Sequence, residues 1–225
     1  KFTAIVATSL AAVSAQAISE EERASAWAVG GCPWVQPTTY SESNSEFDIA
    51  SMHGIWYQVQ KPNDVPFGDD TVYGCGSASF TARPDAWFGY NTGLNFGAYD
   101  LTNKELFNMY SDESAGVDNS WLDARSDNLG NVWGHMTGMP FMTMESRLQV
   151  LYADSDLVVL HSCADMMAVH WSGATVFAKS KTLTDAQRAL VNDTVNRLVP
   201  AAEYTSADLL DTYHGSDCVY NTFNQ

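Results

Sequence analysis

The feature that most restricts the fold is a run of short, turn-punctuated segments over residues 54–179 with almost no helical periodicity. Residues 54–60 alternate apolar and polar in the manner of a half-buried strand. Residues 71–81 do the same, with glycines at alternate positions that allow sharp coiling or a close neighbour. Arg83-Pro84-Asp85 then breaks the chain. Residues 87–96, 131–136, 147–152, 157–163 and 168–179 are further segments rich in Val, Thr and aromatics, at spacings typical of an antiparallel barrel or sandwich. Residues 103–128 show no clear pattern. The period changes once: Thr184 and Gln187 form a capping box, and Leu190, Val191, Val195 and Leu198 recur at three- and four-residue steps until Pro200. The 126 residues of the strand run leave roughly 15 per strand and turn if there are eight strands. No repeat, linker or low-complexity tract divides the chain, so one domain is expected.

The first residues bear on the compartment. Lys1 precedes an uncharged, mostly apolar stretch that ends in Ala15-Gln16-Ala17, the pattern of a secretory signal peptide over residues 1–17. Residues 18–46 read as an N-terminal extension and residues 47–225 as the folded domain with its C-terminal helix and tail. Beyond the first 17 residues no apolar run approaches the roughly 20 residues that span a bilayer, so no transmembrane segment is expected. Four cysteines, Cys32, Cys75, Cys163 and Cys218, lack the spacing of a zinc or redox motif and read as two disulfides of an oxidising compartment. Spacing alone leaves three connectivities open. Eleven Lys and Arg against 27 Asp and Glu give a formal charge of -16, which phosphate backbones would repel; nucleic acid is not an expected partner.

The chain carries Gly31-Cys32-Pro33, Phe47-Asp48, Gly54-Ile55-Trp56-Tyr57, Tyr73-Gly74-Cys75 with Ala78 and Phe80, Leu160-His161-Ser162-Cys163, Val176-Phe177-Ala178-Lys179 before the helix, and Cys218. Together these landmarks resemble the lipocalins, in particular the branch with apolipoprotein D, the insect bilin-binding proteins, the bacterial lipocalins and the crustacyanins. The resemblance implies an all-β fold, an eight-stranded antiparallel up-and-down barrel with one C-terminal α-helix packed on it. It also implies bridges Cys32–Cys163 and Cys75–Cys218. Trp56 would plug the closed end under Lys179, which stands where the family often has an arginine, with Gly54 freeing space or a backbone angle beside it. The family's Thr-Asp-Tyr middle motif is replaced by Tyr152-Ala153-Asp154.

An eight-stranded barrel is just wide enough to hold one small molecule. Seven Trp, ten Tyr, ten Phe and eight Met exceed what a closed core needs. The candidates for a calyx lining are Tyr57, Phe80, Trp87, Tyr90, Phe96, Tyr110, Trp133, His135, Met136, Phe141 and Met144. The five histidines have no metal-ligand spacing, and no nucleophile elbow or phosphate loop is present; no catalytic residue, metal or cofactor is assigned. His135 or His170 could bond a polar group of a ligand. Asn192-Asp193-Thr194 is a glycosylation sequon inside the expected helix. The expected role is a secreted binding or transport protein for a small hydrophobic ligand of the retinoid, bilin, carotenoid, sterol or fatty-acid class. The alternatives are an enzyme acting on a lipophilic substrate and a structural subunit with a filled barrel. Residues 27–40, with Pro33, Trp34 and Pro37, could meet a protein partner or a second copy.

Overall fold

The computed structural model describes residues 27–32, 48–63, 73–82, 92–108, 122–126, 131–136, 147–166 and 168–220. The expected signal peptide, most of the N-terminal extension, and Trp87, Tyr90, Tyr110, Phe141 and Met144 lie outside that set. The strands are β1 (Trp27–Val29), β2 (Gly54–Pro62), β3 (Tyr73–Ala82), β4 (Thr92–Asp100), β5 (Glu105–Asn108) and β6 (Leu122–Ser126). They continue with β7 (Asn131–Met136), β8 (Arg147–Ala153), β9 (Leu157–Met166), β10 (Val169–Ala178) and, after helix α1 (Asp185–Leu198), β11 (Leu209–Asp211). The sheet runs β10-β9-β8-β7-β6-β4-β3-β2, and the end of β10 pairs back onto β2 through Val176↔Gln60, Phe177↔Gln58 and Ala178↔Tyr57. That last pairing closes eight strands into a ring. The strands β1 and β11 flank it on β10 and β2.

The stretch without a readable pattern has a simple explanation. Asn108 pairs with Gly97 and Leu122 with Leu94, so β5 and β6 run in line along the same side of β4. They are one ring position built in two pieces, and residues 109–121 interrupt the period that would have marked a single strand.

Alternation divides the wall into two faces. Inside, Trp56, Ala78, Phe80, Val150, Val158, Leu160 and Phe177 form one cluster, with Ile49 and Met52 of a 3-10 turn below them. Outside, Val59, Leu151, Leu157, Val159, Ala174, Val176 and Ala178 pack against Val191, Val195 and Val199. Each of those three valines stabilises the docking by roughly 1.5–3 kcal/mol. The helix starts where Thr184 accepts a bond from Gln187 N while the Gln187 side chain reaches back to Thr184 N, and its apolar face is the one read from the sequence. Asn192 is half-buried on α1 and Thr194 of the sequon is buried.

The segments before and after the ring are fastened to this frame. Cys32 is bonded to Cys163 on β9, and Cys75 on β3 to Cys218 in the tail. In the tail, His214 donates from Nε2 to Gln58 O and shares a 2.9 Å bond at Nδ1 with Tyr220 OH. Burial, together with Lys181, holds the His214 pKa below the usual value.

Two further histidines sit on the outer face beneath the chain ends. His170 has a carbonyl on one side and a carboxylate on the other, Gly30 O at 3.0 Å and Glu203 Oε2 at 2.5 Å, so both ring nitrogens donate. Burial opposes its charge, yet Glu203 and Gly30 outweigh burial and raise its pKa. His161 is buried, shares a 2.8 Å bond with Ser172 Oγ and has no partner at Nδ1. Burial first, then the neighbouring His170, push its pKa down to about 4.

Two outcomes follow from these fastenings. Replacing either cysteine pair by serine is expected to lower unfolding free energy by about 2–5 kcal/mol, read from the urea midpoint, because each bridge closes a loop of more than a hundred residues. For His161 the unfolded chain binds the extra proton between pH 6.5 and about 4, so its contribution is complete above 6.5 and falls with acidification, by about 3 kcal/mol over that window. His170 has the opposite sign: its contribution is present below pH 6.5 and lost as pH rises through its raised folded-state value. Urea melts of His161→Asn across pH 4–6.5 should show a flatter acid limb. His170→Gln should flatten the limb above 6.5 instead.

Candidate functional site

The candidate site is the inside of the ring, built upward from its closed end. Trp56 is 1% exposed and donates from its indole N–H to Met52 O at 2.6 Å, which ties it to the turn below. Lys179 lies with Nζ 3.9 Å from the centre of the indole ring and donates to Ile55 O at 3.2 Å. The ammonium therefore covers the ring face and keeps a backbone partner. Burial lowers the Lys179 pKa, with Asp156 opposing. Gly54 has φ +114°, a conformation that L side chains rarely adopt, and a Cβ there would stand 3.2 Å from Lys179 Nζ. Beside it, Asp154 closes the β8–β9 turn by accepting from Asp156 N, Leu157 N and Tyr152 OH. The altered middle motif is thus a turn cap, and burial together with Asp154 pushes the Tyr152 phenol up to about 12.

Above this plug, Phe80, Phe96 and Phe177 form the floor, Phe177 meeting the other two edge to face at 6.5 and 6.3 Å. Phe80 and Phe177 are buried and Phe96 is half-buried. Higher on the wall formed by β2, β10 and β9, the inward positions are Gln58, Thr175 and Ser162, all half-buried. Trp171 stands beyond them, and its ring occupies the space a Cβ on Gly173 would need, 2.7 Å away. Floor residues are sealed while mid-wall residues keep accessible surface.

The structure redistributes the sequence-derived candidates. Phe80 and Phe96 belong to the floor. Tyr57 does not line the interior: it follows Trp56 directly and so faces outward, opposite Ala178 and Ser77, where it packs edge to face on Tyr220 at 5.3 Å. Trp133, His135 and Met136 stand on β7, paired with Arg125, Asp123 and Leu122 of β6, and their side chains lie outside the described set. His170 is also outward, with its two bonds already made, and is no ligand partner.

Sequence reasoning missed Gln58, Ser162, Trp171, Thr175 and Phe177. The signal for the last three was present, since alternation from Ala178 places 177, 175 and 171 on one face. Among the described residues His161 and Ser172 are within bonding distance of each other, but both are outward and buried, away from the interior.

Comparison with known proteins agrees with this geometry. No family model matches the chain, and no curated protein sequence does. Among solved structures, lobster apocrustacyanin A1 superposes with a TM-score of 0.59 at 15% identity, covering 85% of this chain and 93% of the other. Insecticyanin of the tobacco hornworm Manduca sexta gives 0.53 at 13% identity, with 84% and 89% covered. The amine binding protein of Rhodnius prolixus, solved as its tryptamine complex, gives 0.55 at 15% identity, with 85% and 91% covered. Closed ring, plugged floor, flanking helix and these likenesses coincide: the chain has the lipocalin fold.

Proposed function

We propose that this protein is a secreted carrier that holds a small hydrophobic molecule inside its barrel. The observation that carries the reading is the contrast along the inner wall. Trp56, Phe80 and Phe177 are between 1% and 6% exposed, whereas inward-facing Gln58, Ser162 and Thr175 above them are only half-buried. A barrel filled by its own side chains would bury those positions as completely as the floor. The neighbours support the same reading, one of them being an amine binding protein seen with tryptamine. Binding would be driven by removing apolar surface from water, at about 25 cal/mol per Å² before association costs are subtracted. No covalent step is required.

Secretion is supported by the two disulfides and by the leader-like residues 1–17. Among the described residues no helix is long and apolar enough to cross a membrane.

The test is extraction of the purified protein with organic solvent, followed by titration with retinoids, bilins, carotenoids, sterols and fatty acids under Trp fluorescence. At least one class is expected to bind at micromolar or lower concentration, and failure of every class would remove the carrier reading. Thr175→Trp, which fills the middle of the hollow, is expected to weaken binding at least about tenfold, a loss of about 1.4 kcal/mol. Its melting temperature should stay close to that of the parent.

A further inference from the structure

Resting on the carrier reading, we infer that the C-terminal tail governs the binding site from its outer side: residues 212–214 occupy a fork between β2 and β3 that sets the position of Gln58 on the inner wall, so ligand affinity depends on the tail being docked. The fork follows from the register. β2 pairs with β3 from Gly54↔Phe80 to Tyr57↔Ser77, and from Gln60 it pairs with β11 instead, on the edge opposite β10. Both strands bulge where they part. Between the pairs Val176↔Gln60 and Phe177↔Gln58, β2 carries one residue more than β10; between Gly74↔Tyr99 and Ser77↔Gly97, β3 carries one more than β4. A bulge takes backbone groups out of the ladder, and here the tail supplies partners. Thr212 N donates to Val59 O at 3.0 Å, His214 Nε2 to Gln58 O at 2.8 Å, and Cys75 N to Tyr213 O at 2.7 Å.

The two glycines beside Cys75 place the tail and the inner wall on the same bulge. A Cβ on Gly74 would stand 3.1 Å from Tyr213 Cβ and 3.2 Å from Tyr213 O, so the tail packs against bare backbone there. A Cβ on Gly76 would stand 2.6 Å from Gln58 Oε1 and 2.9 Å from Gln58 Cβ. The half-buried Gln58 side chain therefore lies across β3 in the space that glycine leaves. Between the glycines, Cys75 has φ +55°, a conformation that non-glycine residues seldom adopt. The tail holds it there through the bridge to Cys218 and the bond to Tyr213 O. Tyr220, edge to face with Tyr57 at 5.3 Å and under Lys181 Nζ at 4.1 Å, completes the clasp on the outward face of β2. With the tail undocked, Gln58 O, Val59 O and Cys75 N lose these partners, and Cys75 is free to return to ordinary strand geometry, which carries Gly76 from under Gln58.

The experiment compares the two bridges in the full chain. The probe is all-trans-retinol or, where retinol does not bind, the sterol, bilin, carotenoid or fatty acid that does, titrated under Trp fluorescence. The bridged cysteines are 131 and 143 residues apart, so removing either bridge costs similar stability. Cys75→Ser/Cys218→Ser is expected to weaken binding at least about tenfold, and Cys32→Ser/Cys163→Ser by less than about twofold. If neither variant loses affinity, or the second loses as much as the first, the inference is overturned and the carrier reading stands. The parent chain supplies a readout that needs no variant to fold. Coupling is reciprocal, so in dithiothreitol redox buffers saturating probe is expected to shift the Cys75–Cys218 equilibrium toward the disulfide by about the same tenfold factor while Cys32–Cys163 does not move. A response of both bridges alike, or of neither, marks the tail as a structural fastening only and overturns the inference. Failure of every probe class to bind removes the carrier reading, and the inference falls with it.

Discussion

The constraint on which the rest depends is the pairing of β10 with β2, three residue pairs that turn an open sheet into a ring. A closed ring leaves no unpaired strand edge in its wall. It also enforces a phase condition. Neighbouring strands share a row of side chains, so the inner row must return to itself after eight steps, and here it returns from Phe177 to Gln58 beside Trp56. The irregularities between Gly74 and Ser77, between Val150 and Tyr152, and between Val176 and Phe177 are where the wall absorbs the mismatch between strand length and curvature.

Once inside and outside are fixed, chemistry sorts itself by cost. Several titratable groups do structural work on the outer wall. Arg188 of the helix reaches Asp211 of β11 at 2.7 Å, and Asp211 also accepts from Gln60 Nε2. His170 joins β10 to the segment after β1 and to the turn after the helix. Cys32 N donates to Asp165, next to its own disulfide. The segments before and after the ring are thus fixed to its exterior.

Much of this was legible before any coordinates. Alternation located β2, β3 and β7 to β10, the Thr184–Gln187 capping box located the start of α1, and Trp56 under Lys179 followed from the place of both residues in a resembled motif. The candidate lining was less legible. Tyr57 looked like a lining residue by composition, yet one residue separates it from Trp56, and one residue is the whole difference between the two faces. The two-piece ring position of β5 and β6 could not be read at all, because its halves are 13 residues apart in sequence and each is too short to show a period.

The sequence by itself determined most strands of the ring, where helix α1 begins and ends, and that four cysteines would serve as staples, because those properties reside in local period, caps and residue type. Only the tertiary structure decided which of the two faces is the interior of the ring and that Gln58, Ser162 and Thr175 stand half-buried on it. Strand period specifies that neighbours alternate, but not the phase of that alternation; the phase is set by bulges and by the register of the pairing that closes the ring, and neither is a local property of the chain.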